Sequence, residues 1–202
     1  MSKRGLLFII SGPAGSGKGT IVSRVRELAS FDFSVSATTR GPRPGEIEGV
    51  HYYFLTKPDF EAKIEAGEML EHAEYVGNYY GTPKKAVDDA LDAGKNIILD
   101  IEVQGALQVK EKMPEAIMIF IIPPDYETLI ARIRGRGTET EEVIQKRMTR
   151  AKEELEKFPL YDYVVINKTG GVEEAAQNVL DILKAENLRT FRNLDIPKKF
   201  FQ

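Results

Sequence analysis

The chain has no cysteine, so a disulfide framework and thiolate chemistry are both excluded. That absence fits a reducing compartment, and the expected location is cytoplasmic. Histidine is nearly absent too. His51 and His72 are the only two, neither sits in a metal-ligand spacing, and no Ser/His/Asp set suggests itself around them. Both read as structural or surface residues. Basic excess is missing: 28 Lys and Arg stand against 31 Asp and Glu, for a formal net charge of −3. A general nucleic-acid or membrane-surface binder would be basic, so neither partner is expected. Anionic ligands must instead be held by locally clustered Lys and Arg. Long apolar runs are lacking as well. No stretch approaches the roughly 20 residues of a membrane span, and the run after Lys3 and Arg4 is too short for a secretory signal core. Internal repeats and low-complexity tracts are not visible.

What is present fits one domain of 202 residues, with 42% hydrophobic content for its core. Continuous apolar runs at residues 6–11, 96–101, 116–122 and 163–167 read as strands covered on both faces. Helical patterns occupy residues 103–113, 125–134, 139–157 and 172–188, the third opened by a capping box of Thr138 and Glu141. Strands alternating with helices predict an α/β fold with a mostly parallel sheet and right-handed crossovers. Residues 33–83 break that rhythm. Half-exposed strands are expected at 34–39 and 51–56, a short helix at 57–66, and a hairpin around Gly77-Asn78. Thr82 and Pro83 read as the N-cap and first position of a helix running to Gly94. A small mixed or antiparallel insert inside a parallel core is the expectation.

The most specific stretch is Gly12-Pro13-Ala14-Gly15-Ser16-Gly17-Lys18-Gly19-Thr20. It follows a buried strand and opens an amphipathic segment at Ile21. Glycines tolerate positive φ and bring no Cβ, so the main chain can wrap an anion with its N–H groups inward. The following helix aims its N-terminus at the same point, and Lys18 adds a charge for terminal phosphates. The common pattern places Ser or Thr directly after the lysine. Here Gly19 intervenes and the hydroxyl is delayed to Thr20. A glycine-rich turn in an ordinary βα unit is the bland alternative, and the loop alone indicates nucleoside triphosphate binding without naming the reaction.

Four further groups bear chemistry. Asp100 ends an apolar strand, where α/β sheets bind ligands and where phosphate-loop enzymes keep an acid near Mg²⁺; a helix N-cap is the alternative. Arg40 and Arg43 lie in a Pro/Gly-stiffened turn, whose forks match phosphate geometry or simply solvate the turn. Tyr52, Tyr53, Tyr75, Tyr79 and Tyr80 offer phenols to a phosphate or packing to the insert. Arg132, Arg134 and Arg136 interleave with Gly135 and Gly137, followed by Lys146, Arg147 and Arg150. Such a segment suits a moving lid or a charged helical face.

In this order, the glycine loop, the Ser34–Glu46 and Gly49–Phe54 segments, Gly77–Thr82, Ile98–Gly105 and the arginine segment resemble the guanylate kinase family, over roughly residues 5 to 185. The resemblance implies a P-loop NTPase-type parallel core (residues 1–33, 84–124 and 159–202), a GMP-binding insert (34–83) and a helical lid (125–158). It implies transfer of the γ-phosphoryl of ATP to GMP. On this pattern Arg40, Arg43, Tyr52 and Tyr80 hold the GMP phosphate, and Ser36, Glu71, Thr82 and Asp100 surround the guanine. Lys18, Arg136 and Arg147 stabilise the transferring group. ATP is held by the loop residues Gly12 to Thr20 with Arg132, and Asn167 lies near the adenine. Mg²⁺ is implied with ATP; no protein ligand set is assigned, Thr20 and Asp100 acting through water. Thr82 stands where the family often has serine and Ala14 where the loop often has serine. A kinase for another nucleoside monophosphate, favoured by the Gly19-Thr20 ending, and a non-catalytic phosphopeptide-binding scaffold are the competing readings. The tail from Phe191 reads as a fraying end or a strap for a partner subunit, and the choice between monomer and homo-oligomer stays open.

Overall fold

A computed structural model describes residues 4–29, 31–75, 77–135 and 141–197. Five strands form one fully parallel sheet: β1 (Leu7–Ser11), β2 (Asp32–Phe33), β7 (Ile97–Asp100), β8 (Ile117–Ile122) and β9 (Tyr163–Ile166). Their spatial order is β2-β7-β1-β8-β9, which puts β1 at the centre. Every residue of β1 is buried, as a strand covered on both faces requires. The alternation of the strand sorts its side chains into two layers. Phe8 and Ile10 pack with Ile21, Val22 and Val25 of α1 (Lys18–Leu28) and with Val179 and Leu183 of α7 (Val172–Leu188). Leu7 and Ile9 pack on the opposite face with Val87 and Leu91 of α3 (Lys84–Asp92) and Ala106 and Val109 of α4 (Val103–Lys112). Each such fully buried Ile or Phe contributes about 1.5–3 kcal/mol, so this double-sided core is the main stabilising term. Among the described residues no helix is long and apolar enough to cross a membrane.

A second sheet of four strands, in the order β4-β3-β6-β5, interrupts the α/β order. It comprises β3 (Ser36–Thr38), β4 (Tyr52–Phe54), β5 (Met69–Tyr75) and β6 (Asn78–Pro83). The sheet is mixed: β3 runs parallel to β4 and antiparallel to β6. Ala37, Phe60 of α2 (Lys57–Glu65) and Met69 form its small core. Thr56 caps α2 by accepting the Asp59 N–H, with Pro58 in the first turn. The β5–β6 hairpin turns at Gly77, whose φ is +72°. A third group, α5 (Tyr126–Arg134) and α6 (Glu141–Leu155), packs through Leu129, Ile133, Ile144 and Ala151.

Two expectations are corrected. Thr82 is not a helix cap. It lies in β6, opposite Glu71, and Pro83 occupies the cap position without a side-chain hydrogen bond. Thr82 is wholly buried, and its hydroxyl donates to the Glu71 carboxyl instead. The edge strand β2 was not anticipated, because two residues carry no readable periodicity. The helix after the glycine loop starts at Lys18, one turn ahead of the apolar pattern. The capping residue Thr138 and the site residue Arg136 lie outside the described residues, as does the far end of the tail.

Candidate active site

β1 delivers the glycine-rich loop to the carboxyl edge of the sheet, and α1 leaves from it. Gly17 is the N-cap of α1 with φ +82°, and a Cβ there would come within 2.3 Å of Asn167 Nδ2. Only glycine meets both demands. The loop is braced from behind. Asn167, 4% exposed, donates through Nδ2 to the Ser16 carbonyl at 2.8 Å. Arg132 donates to the same carbonyl at 3.3 Å and to the Asn167 carbonyl at 3.0 Å. Arg132 and Asn167 thus fix the shape of the loop with the polar groups seen here. A Cβ at Gly19 would meet nothing within 4 Å, so its departure from the common pattern leaves open space rather than strain.

In front of the loop lies a hollow of about 350 Å³, lined by Gly12 to Thr20 together with Arg147. A second hollow, of about 240 Å³, is lined by Ser36, Tyr52, Glu71 and Tyr80 of the insert and by Asp100 at the end of β7. The two meet at Lys18. The Lys18 side chain is 15% exposed and donates a short hydrogen bond to Asp100, with Glu102 4.0 Å away. Burial works against the charge on Lys18, but the carboxylates of Asp100 and Glu102 outweigh it and hold the amine above its ordinary value. Asp100 is therefore no helix cap; α4 is capped at Glu102, without a side-chain bond.

The second hollow has two unlike ends. At one, Glu71 is 4% exposed and accepts from the Thr82 hydroxyl at 2.7 Å. Burial raises this carboxyl to about 7, against the smaller opposing pull of Thr82 and Lys112. A Cβ on Gly105 of α4 would stand 2.3 Å from Glu71 Oε2, so the bare helix backbone walls the carboxylate in. A β-bulge between Met69 and Glu71 sets Glu71 opposite Thr82. Without it the ladder begun by Met69 and Pro83 would pair Glu71 with Gly81. Gln108 of α4 then clamps β5, accepting the His72 N–H at 3.2 Å and donating to the His72 carbonyl at 2.8 Å. Lys112 Nζ donates to the Leu70 carbonyl at 2.6 Å.

At the other end Tyr52 and Tyr80 line the hollow, with Arg40 beside them though it lines neither hollow. The rings of Tyr52 and Tyr80 meet edge-on at 6.1 Å, and the Arg40 guanidinium lies 5.5 Å from the Tyr52 ring. Arg40 is engaged by Glu46 through two parallel bonds of 3.0 and 2.9 Å. The bonds from Arg40 and from the Arg43 backbone N–H hold the Glu46 carboxyl down to about 2. Arg43 is exposed, its charge acting on Glu46, and it lines neither hollow. His51 accepts the Ile47 N–H on its Nδ1, a structural use.

The structure brings together Lys18, Arg147, Asp100, Ser36, Glu71, Tyr52 and Tyr80 around the joined hollows, with Thr82 sealed behind Glu71. Tyr75, Glu102 and Arg150 also line both hollows, although sequence reasoning gave them no individual role. Tyr75 and Arg150 were visible only as members of a tyrosine group and a basic segment.

A glycine-rich loop between a central parallel strand and a helix, with its lysine at the mouth of a second polar hollow, defines a phosphate-binding α/β protein of the P-loop class. The family model described as Guanylate kinase matches residues 4–186. A guanylate kinase of Lactococcus lactis is 52% identical over 196 residues, covering 96% of this chain and 95% of the relative. One from Listeria innocua is 50% identical over 100% of this chain and 98% of its own. The crystal structure of guanylate kinase from Anaplasma phagocytophilum superposes with a TM-score of 0.76 at 34% identity, covering 95% of this chain and 91% of that one. The chain belongs to the guanylate kinase family.

Proposed function

We propose that this chain is a guanylate kinase in activity, transferring the γ-phosphoryl of ATP to GMP. The observation that carries the reading is the junction at Lys18 of two hollows with different linings, one of main-chain glycine loop and one of insert side chains. Residues 12–20 are the donor cradle, with Arg132 and Asn167 setting its shape. Residues 34–83 form the acceptor insert, 125–158 the lid, and residues 1–33, 84–124 and 159–202 the core.

Guanine presents N–H donors on its Watson–Crick edge and an acceptor at O6. The Glu71 carboxylate accepts from the donors and the Ser36 hydroxyl suits O6, while the Thr82 hydroxyl, donated to Glu71, holds that carboxylate in place. Adenine reverses the pattern, with an acceptor at N1, donors at N6 and no 2-amino group, so a site built this way leaves buried groups unpaired with AMP. Because burial holds Glu71 near neutrality in the free chain, it gives up a proton as guanine arrives. Arg40, Arg43, Tyr52 and Tyr80 receive the acceptor phosphate, Arg40 exchanging part of its bond to Glu46 for it. No general base is needed, since the acceptor phosphate has a second pKa near 6 and is largely dianionic at neutral pH. Lys18, Arg147 and Arg136 then balance the charge that moves between the nucleotides, and Asp100 orients Lys18.

Among the described residues no three acidic or histidine side chains cluster as a protein-only metal cage. Asp100 and Glu102 beside the loop, with the exposed Thr20 hydroxyl, fit a magnesium ion carried on the nucleotide phosphates and contacted through water. Such an ion neutralises phosphate charge and aligns the donor.

The test is a coupled assay with ATP and each of GMP, AMP, UMP and CMP. Turnover confined to GMP is expected; a strong preference for AMP sinks the guanine assignment.

A further inference from the structure

We infer that Arg150 is a further phosphate-neutralising residue of this kinase, stationed at the seam between donor and acceptor hollows and held there by Glu154 and Tyr75. The inference rests on the phosphotransfer reading and extends it to a residue outside the roles assigned above. Among the described residues, four line both hollows: Lys18, Tyr75, Glu102 and Arg150. In-line transfer places the moving phosphoryl group where donor and acceptor sites meet, so a cation at that seam faces the developing charge. Lys18 is one such cation and Arg150 is the other.

Arg150 differs from an ordinary surface arginine. It sits on α6 and donates from Nε to Glu154 Oε1 at 3.0 Å. Glu154 is four residues on, one helical turn away on the same face. The exposed counterpart on this helix, Lys146 with Glu142, has side chains 75% and 78% exposed. For Arg150 and Glu154 the values are 31% and 8%. Glu154 Oε2 is buried without a hydrogen-bond partner, and Arg150 meets the carboxylate through Oε1. Burying a carboxylate this way is costly unless a cation stays beside it. On its other side the Arg150 guanidinium stands 5.1 Å from the ring centre of Tyr75, at the end of β5. Arg150 therefore connects α6 to the acceptor hairpin. Arg150 lines both hollows while its Nε stays on Glu154, a two-sided use that a planar guanidinium permits and an ammonium does not.

The test compares the parent chain with Arg150→Gln and Arg150→Lys, measuring kcat and the KM for ATP and for GMP separately, with thermal unfolding alongside. Removing one aimed donor from a developing oxyanion costs on the order of 10²–10³ in kcat, and here Lys18 and Arg147 share the load. The expected loss for R150Q is about tenfold to hundredfold in kcat, with both KM values within about threefold and partial recovery in R150K. A kcat within about twofold of the parent overturns the role, as does a loss that R150K shares in full or that disappears when both proteins are assayed well below their melting temperatures. A parent chain without GMP-dependent turnover overturns the phosphotransfer reading and this role with it. A competent parent with an unaffected R150Q overturns the role of Arg150 alone.

Discussion

The loop after β1 and the β5–β6 hairpin face each other across Lys18, and they are constructed by opposite means. The loop is main chain: its glycines, its turn from Pro13 O to Ser16 N, and the first N–H groups of α1 all come from one continuous stretch. The strand that presents it is buried on both faces. The hairpin's site is side chain. Glu71, Thr82 and Ser36 come from three strands, and Glu71 is aimed by a bulge and walled by a glycine on a helix of the other sheet. A main-chain cradle recognises what all nucleoside triphosphates share. A side-chain pocket distinguishes one base from another, and it depends on distant parts of the chain keeping their register.

Four substitutions sharpen or break this contrast. The largest effect is expected for Lys18→Met, which removes the cation common to both halves. Phosphoryl transfer falls by on the order of 10³-fold or more with the fold retained by circular dichroism; near-normal turnover breaks the account of the loop. Next is Glu71→Gln, which touches only the acceptor half. The preference for GMP over AMP should drop by on the order of 10²-fold, while the KM for ATP holds.

The same residue yields a pH prediction. The Glu71 carboxyl is raised to about 7 in the folded chain from 4.5. Between those values the folded state keeps a proton that the unfolded state has lost, so stability falls as pH rises through the window. The penalty, on the order of 3 kcal/mol, is complete above pH 7 and absent below pH 4.5. The ligand-free Gln variant should therefore melt above the parent at pH 8, and the gap should close by pH 5. A gap independent of pH contradicts the buried, neutral Glu71. Calorimetry of guanosine binding in buffers of different ionisation enthalpy should show proton release near pH 6.

Gly105→Ala acts through that wall. The added methyl lies 2.3 Å from Glu71 Oε2, the movable end of a side chain, so folding survives and the carboxylate shifts. The KM for GMP rises about tenfold, by misplacing one hydrogen-bonding group, with the KM for ATP unchanged. The smallest effect belongs to Gly19→Ser on the donor side. Its Cβ enters open space, so kcat and both KM values stay within about twofold and the melting temperature rises slightly as a helical glycine is removed. A large effect here would mean that the loop, too, depends on side-chain detail.

The parallel core was readable because both signals for it are local. Four apolar runs marked β1, β7, β8 and β9 to within a residue or two, and glycine spacing with Lys18 marked the loop. From its residues alone the insert was readable as strands and a hairpin; its base-site residues came only through the family resemblance. Thr82 followed by Pro83 has the local chemistry of a helix start, and the demand of a buried carboxyl overrode it. Asn167 and Arg132 likewise carry no local sign that they brace Ser16, since 151 and 116 residues separate them from it.

By itself the sequence determined the phosphate cradle and the alternating core, because φ freedom, apolar periodicity and one lysine act within a few residues of one another. Tertiary structure alone decided how deeply Glu71 is buried and how strongly it holds its proton. That outcome depends on a one-residue bulge in β5, a bare patch of α4 at Gly105, and Gln108 pinning the strand between them. Desolvation and register are properties of surfaces brought together, and no short stretch of the chain contains them.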